Sequence, residues 1–101
     1  MLVNNTKYLG EIKFGEPQYF KYELTNNSTS SVSIEKLVVS CASCTKAEID
    51  KWELHREETA NISVTFTPGA LGLQSKRINV VYLEAGEEKP NIILHIKANV
   101  T

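Results

Sequence analysis

Hydrophobic and polar residues alternate with a period of two in several short segments, and this pattern predicts β-strands. Residues 62–67, with the sequence Ile-Ser-Val-Thr-Phe-Thr, alternate strictly. Comparable segments lie at 8–14, 18–25, 32–39, 78–82 and 92–100. Side chains two positions apart face the same side of a strand. We therefore expect a core built from one face of each strand, with these residues buried: Phe20, Tyr22, Leu24, Ile34, Ile62, Val64, Phe66, Ile78, Val80, Leu94 and Ile96.

Turn-forming residues separate these segments. The run 26–31, Asn-Asn-Ser-Thr-Ser-Ser, Pro68-Gly69 and the polar run 84–88 each end a predicted strand. The alternation slips out of phase near Glu35 and Lys36, which predicts a β-bulge there. Short strands with turn signals at such regular spacing are typical of an all-β antiparallel sandwich of about seven strands.

Residues 46–58, Lys-Ala-Glu-Ile-Asp-Lys-Trp-Glu-Leu-His-Arg-Glu-Glu, are the one stretch rich in helix-forming residues. Their apolar positions fit neither the helical nor the strand period, so we expect at most one turn of helix. Trp52, the single tryptophan, is expected to be a lid on the core rather than a platform for a ligand.

Composition and charge restrict the class of protein. The 101 residues are 42% hydrophobic and 23% charged, which indicates one globular domain. We place a boundary segment at 1–6 and the sandwich at 7–101. The net charge is −1 and no basic stripe is present, so neither nucleic acid nor a membrane surface is an expected partner. No apolar run is long enough to insert into a bilayer.

A series of motifs in a fixed order resembles one protein family. They include Gly10-Glu11-Ile12, the strand from Phe20 to Asn27, Ser40-Cys41-Ala42-Ser43-Cys44-Thr45, Ile62 to Phe66 and Leu94 to Val100. The chain resembles the bacterial family DUF1573, which is related to modules of the Hydin and major-sperm-protein type. The family more often has one residue between its cysteines, and its Pro-Gly-Glu turn is replaced here by Arg56-Glu57-Glu58.

The resemblance implies an immunoglobulin-like antiparallel β-sandwich, without catalytic residues, in an exported bacterial protein. It therefore implies the periplasm, the cell envelope or the extracellular space. The first ten residues lack the basic and apolar regions of a signal peptide. We accordingly expect either a cytosolic chain or a domain excised from a longer exported protein.

The only chemically distinctive motif is the pair Cys41 and Cys44. A redox motif of the thioredoxin type needs a helix after the first cysteine, which the pattern does not predict. Structural zinc needs four ligands, and only Cys41, Cys44, His55 and His95 could supply them. Two thiolates alone could hold Cu(I). The remaining interpretation is structural: a local disulfide, or two half-buried thiols at the end of a strand. A local disulfide requires a turn at Ala42-Ser43, because residues i and i+3 of a strand lie about 10 Å apart.

We expect the pair to lie where the strand before it ends and the chain turns towards the second sheet. Neither two scattered histidines nor the acidic pairs in predicted turns form a catalytic arrangement. The sequence thus favours a non-enzymatic interaction or structural module without a cofactor, monomeric as an isolated domain, with an unidentified protein partner. The alternative is a domain that binds zinc or Cu(I), or acts in redox chemistry, through Cys41 and Cys44.

Overall fold

The computed structural model describes every residue from Met1 to Thr101 and shows a two-sheet β-sandwich. It contains no helix that could cross a bilayer. The strands are β1 (Leu2–Val3), β2 (Thr6–Ile12), β3 (Gln18–Thr25), β4 (Val32–Val39), β5 (Thr45–Ile49), β6 (Glu53–Leu54), β7 (Thr59–Phe66), β8 (Gly72–Glu84), β9 (Glu87–Glu88) and β10 (Ile92–Val100). The predicted all-β sandwich is confirmed.

The smaller sheet has the order β1-β3-β7-β5. The larger sheet has the order β2-β10-β8-β4-β6, and β9 pairs with β8. All pairs are antiparallel except that of β2 with β10, which is parallel. The sequence did not predict this exception. It arises because the chain leaves the smaller sheet after β1, crosses to the larger sheet, and there runs beside the last strand.

The core lies between the two sheets, where the alternation predicted it. Ten of the eleven residues expected to be buried are buried. Phe20 is the exception: it is half-buried and packs against the core, with its ring centroid 5.9 Å from that of Tyr22. Each fully buried aliphatic or aromatic side chain contributes roughly 1.5–3 kcal/mol of transfer free energy, which makes this core the main source of stability.

Two β-bulges adjust which side chains face the core. The predicted bulge is confirmed, since the register of β4 against β8 shifts between Ile34 and Lys36. A second shift occurs where β2 pairs with β10, beside Gly10, whose φ is 68°. Glycine adopts such a left-handed conformation without steric cost. This bulge places both Leu9 and Ile12, three residues apart, against the core.

The segment 46–58 forms no helix, in agreement with the expectation of at most one turn, but it carries most of β5 and all of β6, which the sequence did not predict. In β5, Thr45, Ala47 and Ile49 lie towards the core, whereas Lys46 and Glu48 are exposed. Pairing with β7 therefore overrides the helical propensity of these residues. Residues 1–6, which we expected to be a boundary segment, carry β1 and the first residue of β2.

Candidate functional site

Cys41 and Cys44 lie in the turn between β4 and β5 and form a disulfide. Their Cα atoms are 5.5 Å apart, within the range that a disulfide can bridge. The backbone N–H groups of Cys44 and Thr45 both donate to the carbonyl oxygen of Cys41, at 3.3 and 2.9 Å. The turn that a disulfide requires at Ala42-Ser43 is therefore present, at the strand end where we expected the pair.

The disulfide-closed turn connects the two sheets. On one side, the N–H of Ser40 donates to the carbonyl oxygen of Arg77 in the larger sheet, at 2.9 Å. The hydroxyl of Ser40 accepts the N–H of Arg77, also at 2.9 Å. On the other side, Thr67, which follows β7 of the smaller sheet, donates its N–H to the carbonyl oxygen of Cys44 at 2.8 Å. The turn thus holds one end of the β4–β5 side of the sandwich.

The four candidate zinc ligands are not brought together. No three His, Cys, Asp or Glu side chains are grouped so that they could hold a metal ion. His55 is exposed and lies 3.4 Å from the hydroxyl of Ser31, while His95 belongs to β10. In the disulfide, neither Cys41 nor Cys44 has a thiolate to offer. Binding of Cu(I) by the pair would first require reduction.

Along the side formed by β4 and β5, the two sheets approach each other but do not pair. β5 is the last strand of the smaller sheet and pairs only with β7. β4 pairs with β6 only at Val32 and Ser33, so residues 36–39 have a free edge as well. Between these two free edges is an open depression of about 470 Å³, which we call the β4–β5 slot. Its lining residues are Lys36, Leu37, Ala47, Glu48, Ile49 and Trp52.

The floor of the β4–β5 slot is apolar and its rim is charged. Leu37, Ala47 and Ile49 are half-buried and pack against the core. Trp52, expected to be a lid, is instead 50% exposed, because it follows β5 in the chain and lies at the rim of the slot. Lys46 and Glu48, on the outer face of β5, form an exposed ion pair at 3.4 Å. Such surface pairs contribute little to stability.

The opposite side of the sandwich is closed by the chain. The phenol of Tyr22 in β3 donates to the carbonyl oxygen of His95 in β10, at 2.6 Å, and so ties the two sheets together. Tyr22 is 1% exposed, and burial raises its pKa well above the ordinary value. The ammonium group of Lys7 lies 5.8 Å from the centre of the Tyr22 ring, a cation–π distance.

Asn26 holds the end of the β4–β5 side that lies away from the disulfide. Its side chain is fully buried. The amide nitrogen donates to the carbonyl oxygens of Ser30 and Leu54, at 2.8 and 3.0 Å, and the amide oxygen accepts the N–H and hydroxyl of Ser28. It therefore connects the end of β3 to β6. The asparagine- and serine-rich run predicted a turn, but no signal in it distinguished Asn26 from its neighbours.

A second exposed apolar area lies on the outer face of the larger sheet. Tyr8 and Leu73 project there, 78% and 86% exposed, on either side of a shallow depression next to Gly10 and Lys97. The alternation of β2 and β8 puts both side chains on the outer face. This area lies on the larger sheet alone, whereas the β4–β5 slot is lined by strands of both sheets.

Comparisons with known proteins support the fold. The structure matches the VesB protease of Vibrio cholerae with a TM-score of 0.85 and 14% identity. The match covers 97% of this chain and 31% of the protease chain. It matches WR4, an MSP family member of Caenorhabditis elegans, with a TM-score of 0.69 and 15% identity over 99% and 96% of the two chains. The match to the secreted serine protease VesC of Vibrio cholerae has a TM-score of 0.64 and 10% identity. It covers 93% of this chain and 21% of the protease chain.

At these identities the likeness shows an MSP-type, immunoglobulin-like fold. The chain spans less than a third of the length of either protease chain. Among curated proteins it finds no significant match. The profile of the family described as "Protein of unknown function (DUF1573)" matches residues 2–100. The chain therefore belongs to the DUF1573 family.

Proposed function

We propose that this domain is a non-enzymatic protein-interaction module of an exported bacterial protein. The observation that carries the proposal is the β4–β5 slot, where apolar side chains that pack against the core remain open to solvent beside two free strand edges. Immunoglobulin-like sandwiches carry many unrelated functions, so the site and not the fold must support the assignment. A free strand edge beside an apolar groove is a recurring mode of protein recognition.

Photo-crosslinking in the native cell tests this proposal. A photoreactive amino acid at Trp52, on the rim of the slot, should give one discrete adduct with another polypeptide. The same amino acid at Tyr19, which is 77% exposed on the smaller sheet, is the matched control and should give none. Ala47→Arg should block the slot and remove the Trp52 adduct. Identical adducts from both positions, or none from Trp52 in a folded and expressed protein, would reject the proposal.

Export is the second part of the proposal, and the disulfide supports it. Disulfides persist in oxidising compartments and are rare in the cytosol, and two domains of similar fold belong to Vibrio cholerae proteases, one of them described as secreted. Alkylation of thiols in intact cells, before lysis, should leave Cys41 and Cys44 unmodified until a reductant is added. Labelling of both thiols without reductant would place the domain in a reducing compartment.

The metal-binding or redox alternative has its own test. If the pair binds Cu(I) or zinc, the purified protein should contain about one equivalent of metal when prepared under reducing conditions, because thiolates are the ligands. Elemental analysis should then show that the Cys41→Ser, Cys44→Ser double variant lacks this metal. A metal-free preparation of the reduced protein would reject the metal-binding part of the alternative.

A further inference from the structure

We infer that the β4–β5 slot binds an extended peptide segment of another polypeptide as an added strand, antiparallel to β5. The segment carries aliphatic residues at alternate positions and, between them, a basic residue followed two positions later by an acidic one. This inference rests on the proposed function, since it specifies the partner of the same site.

The backbone of β5 is suited to strand addition. Its five residues pair with β7 in unbroken register, from Thr45 opposite Phe66 to Ile49 opposite Ile62. No proline or bulge interrupts it, and its other edge has no partner. The remaining unpaired N–H and C=O groups of such an edge can bind an extended chain. By contrast β2, the edge strand of the larger sheet, is bent by the bulge at Gly10, which disfavours further pairing.

The floor of the slot specifies aliphatic side chains. Residues directly opposite each other in paired strands lie on the same face. A strand added to β5 would therefore point alternate side chains inwards, opposite Thr45, Ala47 and Ile49, which themselves face the core side. There they would contact Leu37 and the half-exposed ring of Trp52. Apolar side chains at these positions would extend the core.

The outer face of β5 specifies the charges. Lys46 and Glu48 are exposed there, and opposite charges across an antiparallel pair are favourable while like charges are not. In the antiparallel orientation the partner reaches Glu48 before Lys46. It should therefore carry its basic residue first, with an aliphatic residue next and an acidic residue after that.

A second copy of this chain would offer complementary charges to β5, but it could not fill the β4–β5 slot. Two copies of β5 paired about Ala47 would place Lys46 opposite Glu48 in both directions. However, the inward side chains of β5 in a folded copy already pack on its own core, so they cannot fill the slot of its neighbour. Five residue pairs also bury far less than the roughly 1,200–2,000 Å² of a stable protein interface. An extended peptide is free of the first restriction, because its inward side chains are not already packed on a core.

The test uses synthetic peptides and the single tryptophan. The probe is the capped peptide Thr-Val-Lys-Val-Glu-Val-Thr, and its control is the same sequence methylated at the backbone nitrogens. Because Trp52 is the only tryptophan and lies on the slot, its fluorescence reports binding there. We expect a saturable change with the probe and at least about tenfold weaker binding of the methylated peptide, which cannot make the backbone hydrogen bonds. Amide NMR shifts should concentrate in 45–49.

A charge exchange in the protein tests the register. The wild-type domain should prefer the probe to Thr-Val-Glu-Val-Lys-Val-Thr, and the Lys46→Glu, Glu48→Lys double variant should reverse this preference. Both residues are exposed, so the fold should be unaffected. An unchanged preference, equal binding of the methylated peptide, or the absence of amide shifts in 45–49 would overturn the inference.

Two further results separate the inference from the proposed function. A Trp52 adduct in cells without binding of the probe would keep the interaction module and reject the added strand. Sedimentation could instead show a dimer that Lys46→Glu disrupts. This result would show that a second copy of the chain, and not a peptide, occupies the edge of β5.

Discussion

The two long sides of the sandwich are closed in different ways. On one side the N-terminal segment pairs first with β3 and then with β10, and Tyr22 bonds across to His95. On the other side β4 and β5 belong to different sheets and do not pair. This side is held by the disulfide turn at one end, by Asn26 at the other, and by the N–H of Ile34, which donates to the carbonyl oxygen of Trp52 at 2.7 Å. The first side is complete in the isolated chain, whereas the second leaves apolar side chains open to a partner.

The comparison shows that similar apolar side chains can have different roles. Tyr22 is 1% exposed and bonds to the opposite sheet. Trp52 is 50% exposed and contributes to the slot. A buried aromatic residue stabilises the fold, while a half-exposed one beside a free strand edge is available for recognition. The following predictions test this division, starting with the largest expected effect.

Phe66→Ala should lower the free energy of unfolding by about 3–5 kcal/mol, because it removes a core aromatic side chain and leaves a cavity. Phe66 is 1% exposed. Trp52→Ala, on the open side, should cost less than about 1 kcal/mol, as expected for a surface position. Urea denaturation followed by circular dichroism measures both. Similar losses for the two variants would mean that Trp52 belongs to the core after all.

Asn26→Ala should lower the free energy of unfolding by about 2–3 kcal/mol, since it removes the buried hydrogen bond to the carbonyl oxygen of Leu54, the bond to the carbonyl oxygen of Ser30 and the acceptor of the Ser28 N–H. Asn27→Ala, at the exposed neighbouring position, is the matched control and should change stability little. Amide hydrogen exchange should also show faster exchange in β6. If the two variants are equally stable, Asn26 does not hold this end of the slot.

Replacing both Cys41 and Cys44 by serine should leave the fold intact and cost at most about 2 kcal/mol, because a loop of this length restricts the unfolded chain only modestly. Reductant should lower the thermal midpoint of the wild-type domain to that of the double variant and leave the variant unchanged. A wild-type midpoint that does not respond to reductant would contradict a stabilising disulfide.

Tyr22→Phe should cost about 1–2 kcal/mol, because it removes the phenol that bonds to the carbonyl oxygen of His95 while keeping the ring. Tyr82→Phe serves as the control, since no hydrogen bond of its hydroxyl is found in the structure and a smaller change is expected. Thermal unfolding compares the two. A neutral Tyr22→Phe would show that strand pairing alone closes this side.

Glu57→Gly should raise the free energy of unfolding by about 1 kcal/mol. Glu57 has a φ of 68° in the turn 55–58, a conformation that costs side-chain-bearing residues more than glycine. The family motif Pro-Gly-Glu would place glycine at this position. Glu87→Gly, within β9, is the control and should be neutral or destabilising. A lower midpoint for Glu57→Gly would indicate that its side chain has another role.

The strands predicted from sequence were those whose buried face comes from local alternation. Residues 62–67 alternate without interruption, and the core face of β7 follows directly. β5 was missed because Lys46, Ala47 and Glu48 favour a helix in isolation, and only pairing with β7 selects the strand. The location of Cys41 and Cys44 was predictable from the end of a strand and the small residues between them. The burial of Asn26 was not, since it depends on carbonyl groups 4 and 28 residues away.

The sequence alone determined the all-β class, the core face of the longer strands, the bulge in β4 and the family resemblance. These follow from local periodicity and turn chemistry, which are written in neighbouring residues. Tertiary structure decided the parallel pairing of β2 with β10, the position of Trp52 and the existence of the β4–β5 slot. Each of these depends on which strands become neighbours and which edges stay unpaired, and that choice depends on the packing of the whole chain.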